Sequence, residues 1–400
     1  MIDNNPEYSL LVESLNSILE GSDDNKRLWA IDLTQFGEDH WVRFSNLVLA
    51  EGVTALVAES LPNQTADFPD DLADAFSQFH QNQRASNDTR TNRFVTVLSA
   101  LQVAGIITIP FKGPKLAESV FHDIGLRSFW DFDFLFPASQ IKQLSESLES
   151  QGFEGILPKT PKQVQAYWKY SGQAVYRRES DELALEPHWS FCSSVMACDF
   201  DYDAIWARSK LEEWHGVQIR TLSPEDEFIM LALHGGKEAW FKLKYVIDFA
   251  RFLKMNPDLD WVYISSVAEK MGIARIVAIA VEIVSATFDA FKTYNCPFKN
   301  SDKVAKELVL KIQQSKVTLA PEMYYFNSYF MAIRERHTDK LVYLLRLFAT
   351  PRNNHFSIIR LPDSLFFLYT PFKIVYDGII LPVWILWKSV FGQKPTKSPS

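Results

Sequence analysis

The chain is predicted to be an α+β protein, with a small mixed β-sheet core between helical N-terminal and C-terminal regions. Three observations carry that expectation. β-Branched and aromatic runs cluster between about residues 102 and 188. Apolar residues recur at helical spacing on both sides of that stretch. Inside it, residues 111–136 (FKGPKLAESVFHDIGLRSFWDFDFLF) open with Lys112-Gly113 and close on two aspartates, Asp131 and Asp133, in an otherwise apolar run.

Taken in order, residues 8–19 and 41–61 carry helical spacing, and Leu61-Pro62-Asn63 ends that block. Residues 70–101 read as one long helix or a pair. Residues 102–111 (QVAGIITIPF) read as a strand that delivers Lys112-Gly113 to a loop. Pro114 suits the first turn of the next helix, where its missing N–H costs nothing. Phe132, Phe134, Leu135 and Phe136 make the run that holds the aspartates a buried strand. A helix over 138–152 follows, then a hairpin of 174–178 with 183–185 that brings Glu186 near the aspartates. Ser223-Pro224-Glu225-Asp226 is a capped helix start, and helices are predicted over 231–253, 264–291 and 303–314. The expected divisions are 1–95 (helical), 96–222 (mixed core), 223–360 (helical) and 361–400 (apolar tail with a disordered end).

Asp131 and Asp133 are two apart, so on a strand both side chains leave from one face, about 6.6 Å apart along the chain. Like charges on an apolar strand repel and lose solvation, at a cost of several kcal/mol. A divalent cation removes that cost, and hard oxygen ligands suit Mg²⁺, which is held by one or two carboxylates together with substrate phosphates. Gly113 lets backbone approach a phosphate, and the helix N-terminus after it supplies N–H donors.

A glycine, a helix and Asp-x-Asp on a strand resemble the nucleotidyltransferase superfamily typified by DNA polymerase beta. The wording of this copy is more similar to a bacterial branch, the uncharacterised nucleotidyltransferase family. Two later segments extend the resemblance: LALEPHWSF at 183–191, with an acid two residues before His188-Trp189, and LALHGGKEAWFKLKYVIDFARFL at 231–253. The resemblance implies a site in which Asp131 and Asp133 hold two Mg²⁺ ions and Glu186 is the third carboxylate, all three catalytic. Glu179, Asp181 and Glu182 are the substitutes should Pro187 displace the strand end. The superfamily's Gly-Ser is Gly113-Pro114 here, so Lys112 and Lys115 are the expected phosphate charges, alongside Gly113 itself. Arg127 matches an Arg of the family motif and is expected to clamp phosphate or to form a structural salt bridge. Lys237 is expected to face the cleft and touch the triphosphate, and His188 to be a hydrogen-bonded structural residue.

The implied activity is transfer of a nucleoside monophosphate from an NTP to a hydroxyl of a small-molecule or protein acceptor, with pyrophosphate released. The competing expectations are a non-catalytic nucleotide-binding adaptor and a toxin-like transferase acting on tRNA or a protein side chain. The intact aspartates favour the enzyme. A net charge of −8 and a pI near 5.6 argue against a partner of long nucleic acid, whose binding needs a basic surface. No GxxxxGK[ST], HExxH or GxSxG motif occurs.

Cys192, Cys198 and Cys296 have no metal-finger spacing, so neither a zinc site nor a disulfide framework is expected. The acidic N-terminus lacks a basic, apolar leader, which predicts cytoplasmic residence. Residues 365–392 are strongly apolar, but Pro371, Lys373, Asp377 and Pro382 interrupt them, whereas a span needs about 20 clean residues. They are expected to pack on the core, with peripheral membrane contact as the alternative. Lys373 and Asp377, four apart, are predicted to pair on one helix face, with Phe372, Val375, Tyr376 and Ile379 lining the other.

Overall fold

The computed structural model describes residues 5–20, 31–61, 67–313, 328–384 and 387. At the N-terminus lie α1 (Pro6–Glu20), α2 (Glu38–Glu51) and α3 (Thr54–Ser60). The helix predicted over 41–61 is two helices because Gly52, at φ +72°, closes α2 in the left-handed region that glycine enters without steric cost. The 34-residue α4 (Asp70–Val103) then runs unbroken past residue 95. It also consumes the start of the strand predicted over 102–111, which shrinks to β1 (Ile109–Pro110).

The core continues with α5 (Gly113–Phe121), β2 (Asp131–Leu135), α6 (Ile141–Ser150), β3 (Glu154–Gly155), α7 (Pro161–Tyr170), β4 (Tyr176–Arg178) and β5 (Leu183–His188). The sheet order is β1-β2-β5-β4-β3, and only β2 and β5 run parallel. A short helix α8 (Tyr202–Arg208) leads to a separate hairpin of β6 (Lys210–Trp214) and β7 (Val217–Thr221), joined to the sheet region by the Arg220 N–H donating to the Thr108 carbonyl at 2.9 Å.

The predicted capped start is α9 (Pro224–Lys237), with the Ser223 hydroxyl accepting from the Asp226 N–H. The single helix expected over 231–253 is broken. Ala239 and Trp240 adopt φ +50° and +51°, and α10 (Leu243–Met255) starts afresh. The cause is local: Trp240 folds back on Gly235, its backbone N–H donating to the Gly235 carbonyl while its indole fills the space a β-carbon at 235 would need. The chain ends with α11 (Trp261–Met271), α12 (Ala274–Thr287), α13 (Lys303–Gln313), α14 (Ser328–Ala332), α15 (His337–Ala349), α16 (Asn353–Ile358) and α17 (Tyr369–Val375).

Two apolar cores result. The sheet face bearing Phe132, Phe134 and Leu185 packs with Phe94 and Leu98 of α4 and Leu148 of α6. The other core joins Leu11, Phe44 and Leu56 of the N-terminal helices to Phe228, Phe249 and Ile279 of the C-terminal ones. Leu135 belongs to that second core. Since residues 131, 133 and 135 share one strand face, the aspartates are turned toward the helical block.

The tail packs on the core only in part: Tyr369 joins the sheet-side core with Phe366 and Phe372 against it, while much of the remaining apolar surface faces outward. Tyr369, Lys373 and Asp377 face inward, and Lys373 pairs with Asp377 as predicted. Phe367, Ile379, Val383 and Trp387 are exposed. One helical stretch among the described residues, Asp363–Trp384, is long and apolar enough to cross a membrane, and only about a fifth of it is buried.

Candidate active site

The site begins with the β2–β5 register. Asp131 stands opposite Ala184, Asp133 opposite Glu186 and Leu135 opposite His188. Partners in a parallel pair project to the same face, so Asp133 and Glu186 are set side by side. Pro187 does not displace the strand end: it lies opposite Phe134, and β5 continues through His188. Its carbonyl still accepts from the Ala174 N–H at 3.0 Å, and the donor it lacks is not required for that bond.

Donor atoms of Asp133, Glu186 and His188 lie within 4.8 Å of one another. His188 Nε2 is 2.9 Å from Asp133 Oδ1 and 3.9 Å from Glu186 Oε2, and Nδ1 faces the Ser190 carbonyl at 3.3 Å. Gln173, which no sequence motif marked, donates from Nε2 to Glu186 Oε2 at 2.7 Å. Asp131 sits exposed at the head of the same strand face, and its charge acts on both Lys112 and Glu186.

Lys112 approaches from the β1–α5 turn. Its Nζ lies 2.7 Å from Asp133 Oδ1 with the side chain largely buried. That reach depends on an unusual backbone: Lys112 at φ +57° and Gly113 at φ +44° make a sharp turn into α5. A non-glycine residue held at positive φ costs about 1–3 kcal/mol and is a mark of functional sites. Arg127 is buried, its Nε 2.9 Å from Asp248 Oδ2 of α10, and its Nη1 donates to the Gly113 carbonyl at 3.4 Å. The Asn87 amide of α4 holds the carbonyls of Ile124 and Arg127 at 2.7 and 3.0 Å, which fixes this connection. Lys115 lies elsewhere, paired with Glu212 of β6 at 2.8 Å.

The helices close the other side. Lys237, at the end of α9, is 3.8 Å from Glu238, and its charge reaches Glu186 and His188. His234 on the same helix packs edge-on against Tyr245 and is kept neutral by burial and by Lys112 and Lys237. Lys244 of α10 donates to the Ser128 carbonyl, and burial together with Arg127 pushes it down to about 7.

The carboxylates are driven apart electrostatically. Burial works to raise Asp133, but Lys112 and His188 outweigh it and hold the group well below the usual carboxylate range. Glu186 is pushed up to about 7 by burial and by the neighbouring charges of Asp133 and Asp131. Burial opposes the charge on Lys112, yet Asp133 keeps it above the usual lysine range. Burial also lowers His188. Two carboxylates and a neutral imidazole converging on one point, with one carboxylate raised by the other, are a donor set that fits a divalent cation.

A glycine turn, a helix, a strand bearing Asp-x-Asp and a third carboxylate on its parallel neighbour together define a nucleotidyltransferase. Residues 37–289, more than half of the chain, match the family model described as uncharacterised nucleotidyltransferase, and the chain belongs to that family. No curated protein and no solved structure matches it.

Proposed function

We propose that the protein transfers a nucleoside monophosphate from a Mg²⁺-bound NTP to a hydroxyl of a small-molecule or protein acceptor. The observation that carries this reading is the register of Asp133 with Glu186 on one sheet face, with Asp131 two residues away. Asp131, Asp133 and Glu186 would hold the cation, and His188 keeps Asp133 oriented. When bound, the cation supplies neutralisation and alignment of the phosphates.

The acceptor oxygen forms a bond to the α-phosphorus as the bond to the bridging β-phosphate oxygen breaks, and pyrophosphate leaves. Glu186, set beside Asp133 on the same sheet face, takes the hydroxyl proton as that bond forms. The charges of Lys112 and Lys237 both reach Glu186, and the two lysines are assigned to the triphosphate. The Gly113 turn and the N–H groups that open α5 bind phosphate oxygens. Arg127 supports that turn from beneath through Asp248 and is assigned to positioning. Lys115 would have to leave Glu212 to reach a phosphate, so it is given no part in the transfer step.

Each α-labelled NTP, incubated with the protein, Mg²⁺ and a cell extract, is expected to leave label on one acceptor class identifiable by mass spectrometry. Asp131→Asn is the control. Label transfer that persists in that variant, or none with any NTP, would remove the reading.

A further inference from the structure

We propose that the C-terminal segment lies in the plane of an anionic lipid bilayer and docks the protein to a membrane surface by its outward apolar face. The helix is built inside out. Its inner stripe is Tyr369, Lys373 and Asp377, spaced four apart, with Lys373 and Tyr369 fully buried. Asp377 Oδ1 accepts from His355 Nε2 at 3.0 Å, its other oxygen pairs with Lys373, and Arg352 Nη2 lies 3.6 Å away. These contacts fasten the charged stripe to α16. The opposite side carries Phe367 at 68 %, Ile379 and Val383 at 61 % and Trp387 at 59 % exposure. A helix bound for water has the reverse polarity, apolar side in and charges out. Beside it, α15 adds exposed Leu341 and Leu345, so the apolar surface is wider than one helix.

Charge identifies the occupant. From residue 340 to the end the sequence has eight basic and two acidic residues, a net of +6, on a chain whose total is −8. A segment this basic in sequence, with an exposed apolar face that carries Trp384 and Trp387, fits the anionic headgroup region, where Trp and Tyr concentrate and nearby Lys and Arg add attraction. Two copies of this segment would repel each other, which disfavours a symmetric dimer through the same face. The helix lies in the plane rather than crossing, because Lys373 and Asp377 are tied to His355 of the protein body and Pro371 and Pro382 sit within the apolar run.

The test is co-sedimentation of the full chain with vesicles of phosphatidylcholine alone and of phosphatidylcholine mixed with phosphatidylglycerol, at low and high salt. Binding is expected to the anionic vesicles and to weaken about tenfold or more on neutral vesicles or in high salt. Ile379→Glu/Trp384→Glu, which changes only exposed positions, should lower binding by a further tenfold or so while the melting temperature and Mg²⁺–NTP binding stay unchanged. The proposal falls if neither vesicle binds, if the double variant binds equally, or if light scattering shows a dimer that the same variant dissolves. Retention in cell membranes until detergent is added would replace docking with a true span. None of these outcomes bears on the transfer chemistry.

Discussion

The Lys112 ammonium lies 2.7 Å from Asp133 Oδ1, on the oxygen that His188 Nε2 also approaches at 2.9 Å, so a side-chain cation already serves the carboxylate assigned to the metal. Lys112 and a divalent ion therefore compete for one oxygen until nucleotide phosphates give the lysine another anion. Lys112→Met should raise Mg²⁺ affinity in the absence of nucleotide by about tenfold, since a unit charge a few ångströms away is worth roughly 1–4 kcal/mol in partly hydrated surroundings. The same variant should lose NTP affinity and transfer. Calorimetry that finds weaker Mg²⁺ binding in the variant would assign Lys112 to supporting the ion instead.

Asp131 and Asp133 are expected to separate when mutated. Asp131→Asn, at an exposed position, should abolish Mg²⁺–NTP binding and transfer with stability within about 0.5 kcal/mol of the wild type. Asp133→Asn removes the buried partner of Lys112 and should cost about 3–5 kcal/mol in urea unfolding as well as activity. Unchanged Mg²⁺–NTP binding in both variants would end the metal-site assignment.

Glu186 sets a pH dependence with a definite sign. Its folded value is raised to about 7 from the ordinary 4.5, so the metal-free folded protein keeps a proton that the unfolded chain has released. Its contribution therefore falls as pH rises from about 4.5 to 7. Glu186→Gln should flatten that fall and make the metal-free protein more stable at pH 8, on the order of 2 kcal/mol. In kinetics, the variant should lower turnover far more than nucleotide affinity. Loss in Glu182→Gln with none in Glu186→Gln would move the third carboxylate.

The Arg127–Asp248 pair ties the Gly113 turn to α10. Arg127→Ala leaves Asp248 buried without that partner and should cost about 3–5 kcal/mol. Arg127→Met with Asp248→Leu should recover part of that stability, yet leave nucleotide affinity reduced because Gly113 has lost its support. Full recovery of affinity in the double variant would show that the guanidinium does not position the turn.

At Gly235 a methyl group would meet the Trp240 indole. Gly235→Ala should lower the melting temperature and disturb the turn that carries Lys237 into the site, with a stability loss of about 1–3 kcal/mol. A melting temperature equal to the wild type would show that the indole has room to move.

What the sequence determined was whatever depends on local spacing. The i, i+2 alternation put Asp131 and Asp133 on one strand face, Ser223-Pro224 started α9, and the four-residue spacing of Lys373 and Asp377 foretold their pairing. The break between α9 and α10 was hidden, because Gly235 and Trp240 read as ordinary helix positions until the indole is seen lying on the glycine. Only the tertiary structure set Asp133 opposite Glu186, since strand register is fixed by packing between segments about fifty residues apart. It also decided which cation serves which carboxylate. Lys112, Lys115 and Arg127 are equally basic in the sequence, yet burial and geometry send them to Asp133, Glu212 and Asp248 respectively. The same holds for the tail, whose apolar composition was plain. The direction it faces follows from the buried His355–Asp377–Lys373 cluster, because desolvated charges must remain with their partners and so turn the apolar side outward.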